Sequence, residues 1–534
     1  MMDKIEASEK HLDSPESLSQ LLKQRAAQQP GKTFLINEAD GRRYSYAQFD
    51  AAVNRSARLL ASFGIKQGDV VSLLLPNSAE YIIAYFACFA LGALAGPLNS
   101  LLKPEEAAYV LANSDARALL VHTEFQQNVE ALRESLPGLR HVIRFDDERE
   151  ATRRFVDAED DVPCVALDHD AEAIIIYTSG TSGKPKGCLL THGNLIANAR
   201  QITRWLRFTE HDRLLTVMPL FHMNAVSVTT LTPLYAGAST IVCPRFSASR
   251  FWQTVSDYEV TSFGSVATML SMLLSTYPEG VPEGLKTKQL RFAMCGSAPV
   301  PAEVLRRFEQ TFNCLVIEGY GLSESTCRST FNPPDERRRP GSCGMAIGNE
   351  MRVVDEEGRE VADGHPGEIV LRGENIFKGY HKNRDATERA FQDGWFHTGD
   401  IGYRDSDGFF YIVDRKSDMI IRGGENIYPR EIDEVLYRHE SVAEAATIGV
   451  PDTLYGEEVA AAVVLKEGRE ASAADLAEFC RQHLADFKCP KTFHFVKELP
   501  KGPTGKVLKR ELARLYSTPS RDLNAKDAKF TAKE

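Results

Sequence analysis

Apolar and polar positions alternate along this chain in two textures. Between Lys32 and about residue 340, short apolar runs are separated by longer amphipathic stretches. Asp69-Val-Val-Ser-Leu-Leu-Leu, Ala118-Leu-Leu-Val, His141-Val-Ile and Ala173-Ile-Ile-Ile read as buried strands. Leu214-Leu-Thr-Val-Met, Ser239-Thr-Ile-Val-Cys, Val260 to Val266, Leu290 to Cys295 and Cys314-Leu-Val-Ile continue the series. A helix is expected from Tyr44 through Leu60, and residues 1 to about 30 read as a polar, peripheral helical start. Strands alternating with helices predict an α/β fold with a largely parallel sheet. The uncharged run from Tyr81 to Asn99 has the length of a membrane span, but its many Ala and Gly predict a tightly packed buried helix instead. Residues 145 to 170 are charged and irregular and predict a solvated loop.

Past residue 340 the runs shorten and Gly/Asp turns multiply, as in Arg352-Val-Val-Asp and Gly367-Glu-Ile-Val-Leu-Arg, which predicts a small β-barrel-like unit. A β segment ends in four polar residues at Arg415 to Asp418, a candidate boundary. Beyond it a helix beginning at Tyr428 and strands at Glu444 to Val450 and Val459 to Leu465 predict a small α+β domain. The expected division is a large N-terminal domain at 1–415, a hinge at 416–418, a mobile C-terminal domain at 419–516 and a polar, disordered tail at 517–534. No internal repeat is visible.

Composition narrows the function. A length of 534 residues calls for more than one core, and 43% hydrophobic with 26% charged residues is the balance of a soluble globular protein. A net charge of −11 argues against nucleic-acid and anionic-membrane partners, so a polyanionic ligand must be held by a local site. The ten cysteines form no Cys-x-x-Cys pair, which argues against a zinc site or a disulfide framework. With no signal peptide at the N-terminus, a cytoplasmic location is expected, as a monomer or homodimer.

One stretch is denser in chemistry than its surroundings. Tyr177-Thr-Ser-Gly-Thr-Ser-Gly-Lys-Pro-Lys-Gly187 places three glycines, four Ser/Thr hydroxyls and two lysines directly behind an apolar strand. Thr191 or Asn194 then offers a cap for a following helix. Strand, loop and helix in that order suit a phosphate: glycines permit close approach, amides and hydroxyls donate, and lysines supply charge. The spacing is not that of a Walker loop, since Gly180 and Gly183-Lys184 stand two residues apart. A flexible linker is the bland alternative, and the composition weighs against it. Farther on, Tyr320 lies between Gly319 and Gly321, so its ring could accept a flat ligand, and Glu324 could hold Mg2+ beside a triphosphate. Taken singly, a core aromatic and a solvated carboxylate explain them as well.

Read together, these stretches resemble the adenylate-forming superfamily of acyl-CoA synthetases, adenylation domains and luciferases, most closely bacterial ligases of the crotonobetaine/carnitine-CoA type. The resemblance spans roughly residues 15 to 515 and uses five or more motifs in order. It implies that a small-molecule carboxylic acid and MgATP give acyl-AMP and pyrophosphate, after which coenzyme A (CoA) takes the acyl group. It also implies roles. Thr178, Ser179, Gly180, Thr181, Ser182, Gly183, Lys184 and Lys186 would hold the β/γ-phosphates, with Ser323 on phosphate and Glu324 on Mg2+. Tyr320, between Gly319 and Gly321, would stack on adenine opposite Gly296, Ser297, Ala298 and Pro299. Asp400 and Arg415 would hold the ribose, and Lys506 would bridge the acid and the α-phosphate. Gly423 and Gly424 would line the CoA tunnel, and His222 would gate the acyl pocket. Ser417 occupies the hinge position, where many relatives carry Asp or Lys.

The segments around His222, Ser265, Gly319 to Leu322 and Met345 are small and apolar, which favours a small or medium uncharged acid. Arg328 is expected at the rim or surface; facing the pocket, it would pair with a second carboxylate. The other readings are an adenylation enzyme that loads a carrier protein, a luciferase-like oxygenase and a non-catalytic AMP-binding protein.

Overall fold

The computed structural model describes residues 14–127, 129, 136–153, 165–178, 184–296, 300–501 and 507–516. The chain divides into two compact units, residues 1–398 with 404–411, and residues 399–403 with 412–534. The strands Trp395–Arg404 and Phe410–Arg415 therefore each supply residues to both units.

The first unit contains two seven-stranded sheets. One runs in the order Leu315–Glu318, Phe292–Cys295, Ser262–Ser265, Arg213–Thr216, Ser239–Val242, Thr33–Asn37 and Arg43–Ser45, parallel except for the last strand. The other runs Gly379–Tyr380, Lys186–Thr191, Glu172–Thr178, Leu94–Pro97, Val70–Leu74, Ala116–Val121 and His141–Arg144. Its last five strands are parallel, and the first two add on antiparallel. Continuous apolar runs such as Val70–Leu74 and Phe292–Cys295 are buried at every position, as strands covered on both faces require. Past residue 340, Glu350–Val354, Gly367–Arg372, Trp395–Arg404, Phe391–Gln392 and Phe410–Arg415 form the expected smaller β element.

Four local expectations change. The apolar run at Tyr81 to Asn99 is not one helix. The helix Ala79–Leu91 stops at Gly92, whose φ of +65° is open to glycine at little cost, and Leu94–Pro97 continues as a sheet strand. The N-terminal helix, Leu18–Gln28, is not peripheral, because Leu18, Leu21 and Leu22 are at most 1% exposed. The region from 145 to 170 includes a helix, Glu148–Thr152, whose fully buried Glu148 pairs with Arg55 at 3.1 Å. Finally, the long helix begins at Tyr46, after Arg43–Ser45 has joined a sheet; Ser45 and Gln48 form its capping box.

In the second unit, Glu425–Ile427, Ile420–Arg422, Gly456–Leu465 and Val442–Asp452 form an antiparallel path, and Thr492–Phe495 runs parallel to Gly456–Leu465. Period-two alternation divides its apolar residues between two clusters. Val459, Ala461 and Val463 pack with Ile432, Leu436 and Leu476, while Ala460 and Ala462 pack with Leu499 and Leu512. Lys509 donates to Asp433 at 2.9 Å and so seats the helix Lys509–Tyr516. Among the described residues, no helix is long and apolar enough to cross a membrane.

His192, at the start of the helix His192–Leu206, is fully buried, and its Nδ1 accepts from the Leu18 amide at 3.3 Å. Burial pushes its pKa down from 6.5 to about 4. As pH falls through this window the unfolded chain binds the proton first. The stability contributed by the neutral ring is therefore complete above 6.5 and lost by about 4. The full shift corresponds to about 3 kcal/mol. Denaturant unfolding of His192→Gln at stepped pH should show a flatter acid limb than the parent over that range, with little difference near pH 8.

Candidate active site

The dense loop at 177–187 is a hairpin connection. Glu172–Thr178 pairs antiparallel with Lys186–Thr191, in register from Thr178 opposite Lys186 to Ile174 opposite Leu190, with a bulge before Glu172 opposite Thr191. The expected strand–loop–helix order is therefore wrong: a second strand intervenes, because Gly187-Cys-Leu-Leu has the apolar content to join the sheet. The helix follows only after Thr191, which together with Asn194 forms its capping box. The N-terminus of that helix is therefore one strand removed from the loop. Lys186 Nζ lies 4.9 Å from the Tyr380 ring centre and Lys184 Nζ lies 5.4 Å from that of Tyr109, so aromatic faces brace both cations. Ser179, Gly180, Thr181, Ser182 and Gly183 lie outside the described residues, as do Ser297, Ala298, Pro299 and Lys506.

Glu324 is brought to the end of that hairpin. It sits on a 3₁₀ turn, Ser323–Ser325, and is 9% exposed. Its Oε1 accepts from the Tyr380 hydroxyl at 3.0 Å and lies 3.5 Å from Thr178 Oγ1. Burial, reinforced by the Glu324 carboxylate beside it, pushes the Tyr380 pKa far up, so its hydroxyl stays a donor. Thr326, two residues on, has a φ of +66°, which is strained for a β-branched residue. Its hydroxyl donates to the Asn375 carbonyl at 2.7 Å, which helps to hold that conformation. Glu324 and Thr178 therefore converge, with Ser323 next to Glu324 on the same turn, and Tyr380, which the sequence reading missed, completes the group. The only signal for it was a Gly-Tyr pair within Phe377-Lys-Gly-Tyr.

The glycines around Tyr320 serve a purpose other than exposing its ring. A Cβ on Gly319 would lie 2.5 Å from the Phe331 ring, and one on Gly321 would lie 2.1 Å from the Cys327 carbonyl oxygen. The chain at 327–331 returns so closely that only glycine fits, and the Tyr320 carbonyl accepts from Ser329 and Thr330. Tyr320 itself is half-buried. A Cβ on Gly296 would lie 2.6 Å from the Arg328 guanidinium, so the glycine leaves the space this side chain fills. Arg328 is thus not a rim or surface residue: it is 2% exposed. Nothing in the polar string from Ser325 to Thr330 announced that burial. His222 is largely enclosed, its Nε2 has no partner among the described residues, and burial pushes its pKa down to about 4. A neutral ring with that pKa fits a pocket gate better than a base working at neutral pH.

In the second unit, Asp400 is 3% exposed, and Arg415 Nε lies 3.1 Å from its Oδ1. These two predicted ribose-binding residues are therefore in contact. Gly423 and Gly424 form the two-residue turn between Ile420–Arg422 and Glu425–Ile427, with φ of +59° and +90°. The Gly423 amide donates to the Tyr455 carbonyl at 2.9 Å, and Arg422 grips Glu458 through two bonds of 2.6 and 2.9 Å.

Among the described residues no cluster of three or more metal-ligating side chains occurs. The fit for Mg2+ is one buried carboxylate, Glu324, oriented by Tyr380. Mg2+ commonly binds through one carboxylate with phosphate oxygens and water, so this donor set suits a metal that arrives with ATP.

Residues 22–381 match the AMP-binding enzymes and residues 431–506 match the AMP-binding enzyme C-terminal domain. A sulfoacetate–CoA ligase from Cupriavidus necator is 39% identical, covering 93% of this chain and 97% of its own length. A crotonobetaine/carnitine–CoA ligase from Escherichia coli is 33% identical, covering 90% and 96%. The o-succinylbenzoate–CoA synthetase of Bacillus subtilis, solved with its acyl-adenylate OSB-AMP, has a TM-score of 0.82 at 33% identity, covering 92% of this chain and 97% of its own. The chain belongs to the AMP-binding enzymes. Its reaction class is that of the AMP-forming acid–CoA ligases, which proceed through an acyl-adenylate and use ATP, Mg2+ and CoA.

Tyr380→Phe removes the hydroxyl that orients Glu324. The Mg2+ concentration giving half-maximal acid-dependent pyrophosphate exchange should rise about tenfold, as for other partners of metal ligands. An unchanged Mg2+ dependence would remove Glu324 from the metal site.

Proposed function

We propose that this enzyme activates a short carboxylic acid by adenylation and transfers the acyl group to CoA, with the residues above in the following roles. The observation that carries the reading is the convergence of Thr178, Glu324 and Tyr380 at the mouth of the loop hairpin. A carboxylate is a poor acyl donor because its leaving group would be oxide; adenylation substitutes a stabilised phosphate anion. Two anions must meet in that step, so screening charge is the protein's main task. Lys184 and Lys186, with the hydroxyls of Thr178, Ser179, Thr181 and Ser182, grip the departing pyrophosphate. Bound with ATP, Mg2+ would supply further neutralisation of the phosphates, with Glu324 holding the metal and Ser323 on a phosphate. Tyr320 and the segment Gly296 to Pro299 enclose adenine, and Asp400 with Arg415 holds the ribose. Lys506 places its ammonium between acid and α-phosphate as negative charge shifts between them.

Thioester formation falls to the C-terminal domain at 419–516, turning about residues 416–418 with Ser417 at the pivot. Gly423 and Gly424 let the pantetheine arm pass close to backbone. The sulfoacetate and oxalate ligases among the relatives support a short acid. Use of ATP and CoA supports a cytoplasmic setting. The CoA ligases among the relatives favour CoA over a carrier protein as the acyl acceptor.

The purified enzyme, given ATP, CoA and a panel of acids, should release AMP and form a thioester of matching mass with at least one short acid. Exchange without thioester would favour a carrier-protein acceptor. Lys506→Ala should lose adenylation by a factor of about 100 or more, as for loss of a group that stabilises transition-state charge. It should retain thioester formation from supplied acyl-AMP; equal loss of both half-reactions would remove Lys506 from the first step.

A further inference from the structure

Arg328 is among the largest fully buried side chains of the protein. Its Nε and Nη2 nonetheless have no hydrogen-bond partner among the described residues. What its neighbours hold is its backbone. The Asn198 side chain donates to the Arg328 carbonyl at 2.7 Å and accepts from its amide at 3.3 Å. The guanidinium itself faces the Phe331 ring, with Cζ 5.5 Å from the ring centre. A guanidinium withdrawn from water and left unpaired is costly, and a group of opposite charge is what relieves it.

Its position is set at the carboxyl ends of adjacent parallel strands, where α/β sheets place their ligands. Gly264 lies on Ser262–Ser265, and Gly296 directly follows Phe292–Cys295. A Cβ at Gly264 would lie 3.1 Å from Asn224 Oδ1, while the corresponding space at Gly296 is filled by the Arg328 guanidinium. Gly264 is in register with Met294, two residues before Gly296, so both spaces open on the same face of the sheet. One strand spacing and two residues of rise put them about 8 Å apart. Asn224 is 5% exposed, and both its Oδ1 and Nδ2 lack partners among the described residues. It opens a π-helical segment, Asn224–Leu231, a geometry that recurs at functional sites. Asn198 ties the two sides together, because its Oδ1 also accepts from Ser227 of that segment at 3.0 Å.

We propose that Arg328, with Asn224 beside it, receives a second anionic group on the acid, so that the enzyme selects short carboxylic acids bearing a further carboxylate or a sulfonate. This deepens the ligase reading above and rests on it. The guanidinium pairs with the distal anion through its free nitrogens, and the Asn224 amide donates to the same group or to the chain that links the two anions. An uncharged tail leaves the buried cation unpaired, and this turns a binding site into a selective one.

The test compares near-isosteric acids with ATP and CoA: propionate and butyrate against malonate, succinate and sulfoacetate, reading AMP release and thioester mass. In the wild type, kcat/KM for at least one doubly charged acid should exceed that for propionate by about 100-fold or more, the discrimination expected of a site left with an unpaired polar group. The malonate and sulfoacetate arms distinguish a planar from a tetrahedral anion. Arg328→Gln and Arg328→Lys should each collapse that ratio, chiefly through KM for the acid, with KM for ATP moving less. The proposal is overturned if propionate or butyrate is the better substrate, if the ratio is unmoved in folded variants, or if the loss falls on ATP. Should the variants fail a thermal-melt check, the wild-type ratio decides alone, and a ratio at or below one sinks the proposal. If no acid in either set releases AMP, the ligase reading fails and this one falls with it; turnover without charge preference removes only the role of Arg328.

Discussion

A carboxylate and a guanidinium four residues apart in sequence are both taken out of water without pairing with each other. Glu324 finds a tyrosine hydroxyl, while Arg328 keeps two nitrogens without a partner among the described residues. Buried charge is tolerated when something compensates it; in the proposed roles, a metal with its phosphates would do so at Glu324 and a substrate anion at Arg328. Stability alone would favour apolar residues at both positions. The surrounding chain is built to hold these two charges in place, through the strained Thr326, the carbonyl bonds from Asn198 and the turn that starts at Ser323.

That arrangement depends on chain segments approaching more closely than side chains normally allow. Gly296, Gly319 and Gly321 each occupy a position where a methyl group would overlap a neighbouring atom by a large margin. Such glycines are read from sequence as flexible or as opening space for a ligand. Here they are packing residues, and the space they vacate is filled by Arg328, Phe331 and the Cys327 carbonyl. Close packing of this kind transmits position well, so the segment that carries Tyr320 and the one that carries Arg328 cannot move independently.

The second unit shows a different economy. Alternation along Gly456–Leu465 supplies two apolar clusters from one strand, and tight ion pairs such as Arg422 with Glu458 brace a turn of two glycines. Asp400 and Arg415 belong to this unit and pair with each other there.

What the sequence determined unaided was whatever rests on local pattern. Apolar runs located the parallel strands, Thr191 or Asn194 offered a cap for the helix after the loop, and the ordered motifs identified the family and its reaction class. Those signals are short-range and survive without tertiary context. Tertiary structure decided everything that depends on which segments meet. It set a second strand after the glycine- and hydroxyl-rich loop and broke an apolar run at Gly92, because pairing with a neighbouring strand outweighs local periodicity. It buried Leu18, Glu148 and Arg328, whose partners lie far away in the chain. It also brought Tyr380 to Glu324, a contact between residues separated by more than fifty positions. Burial is a property of the surroundings and not of the residue, so a charge that reads as solvated in sequence can become the feature that chooses the substrate.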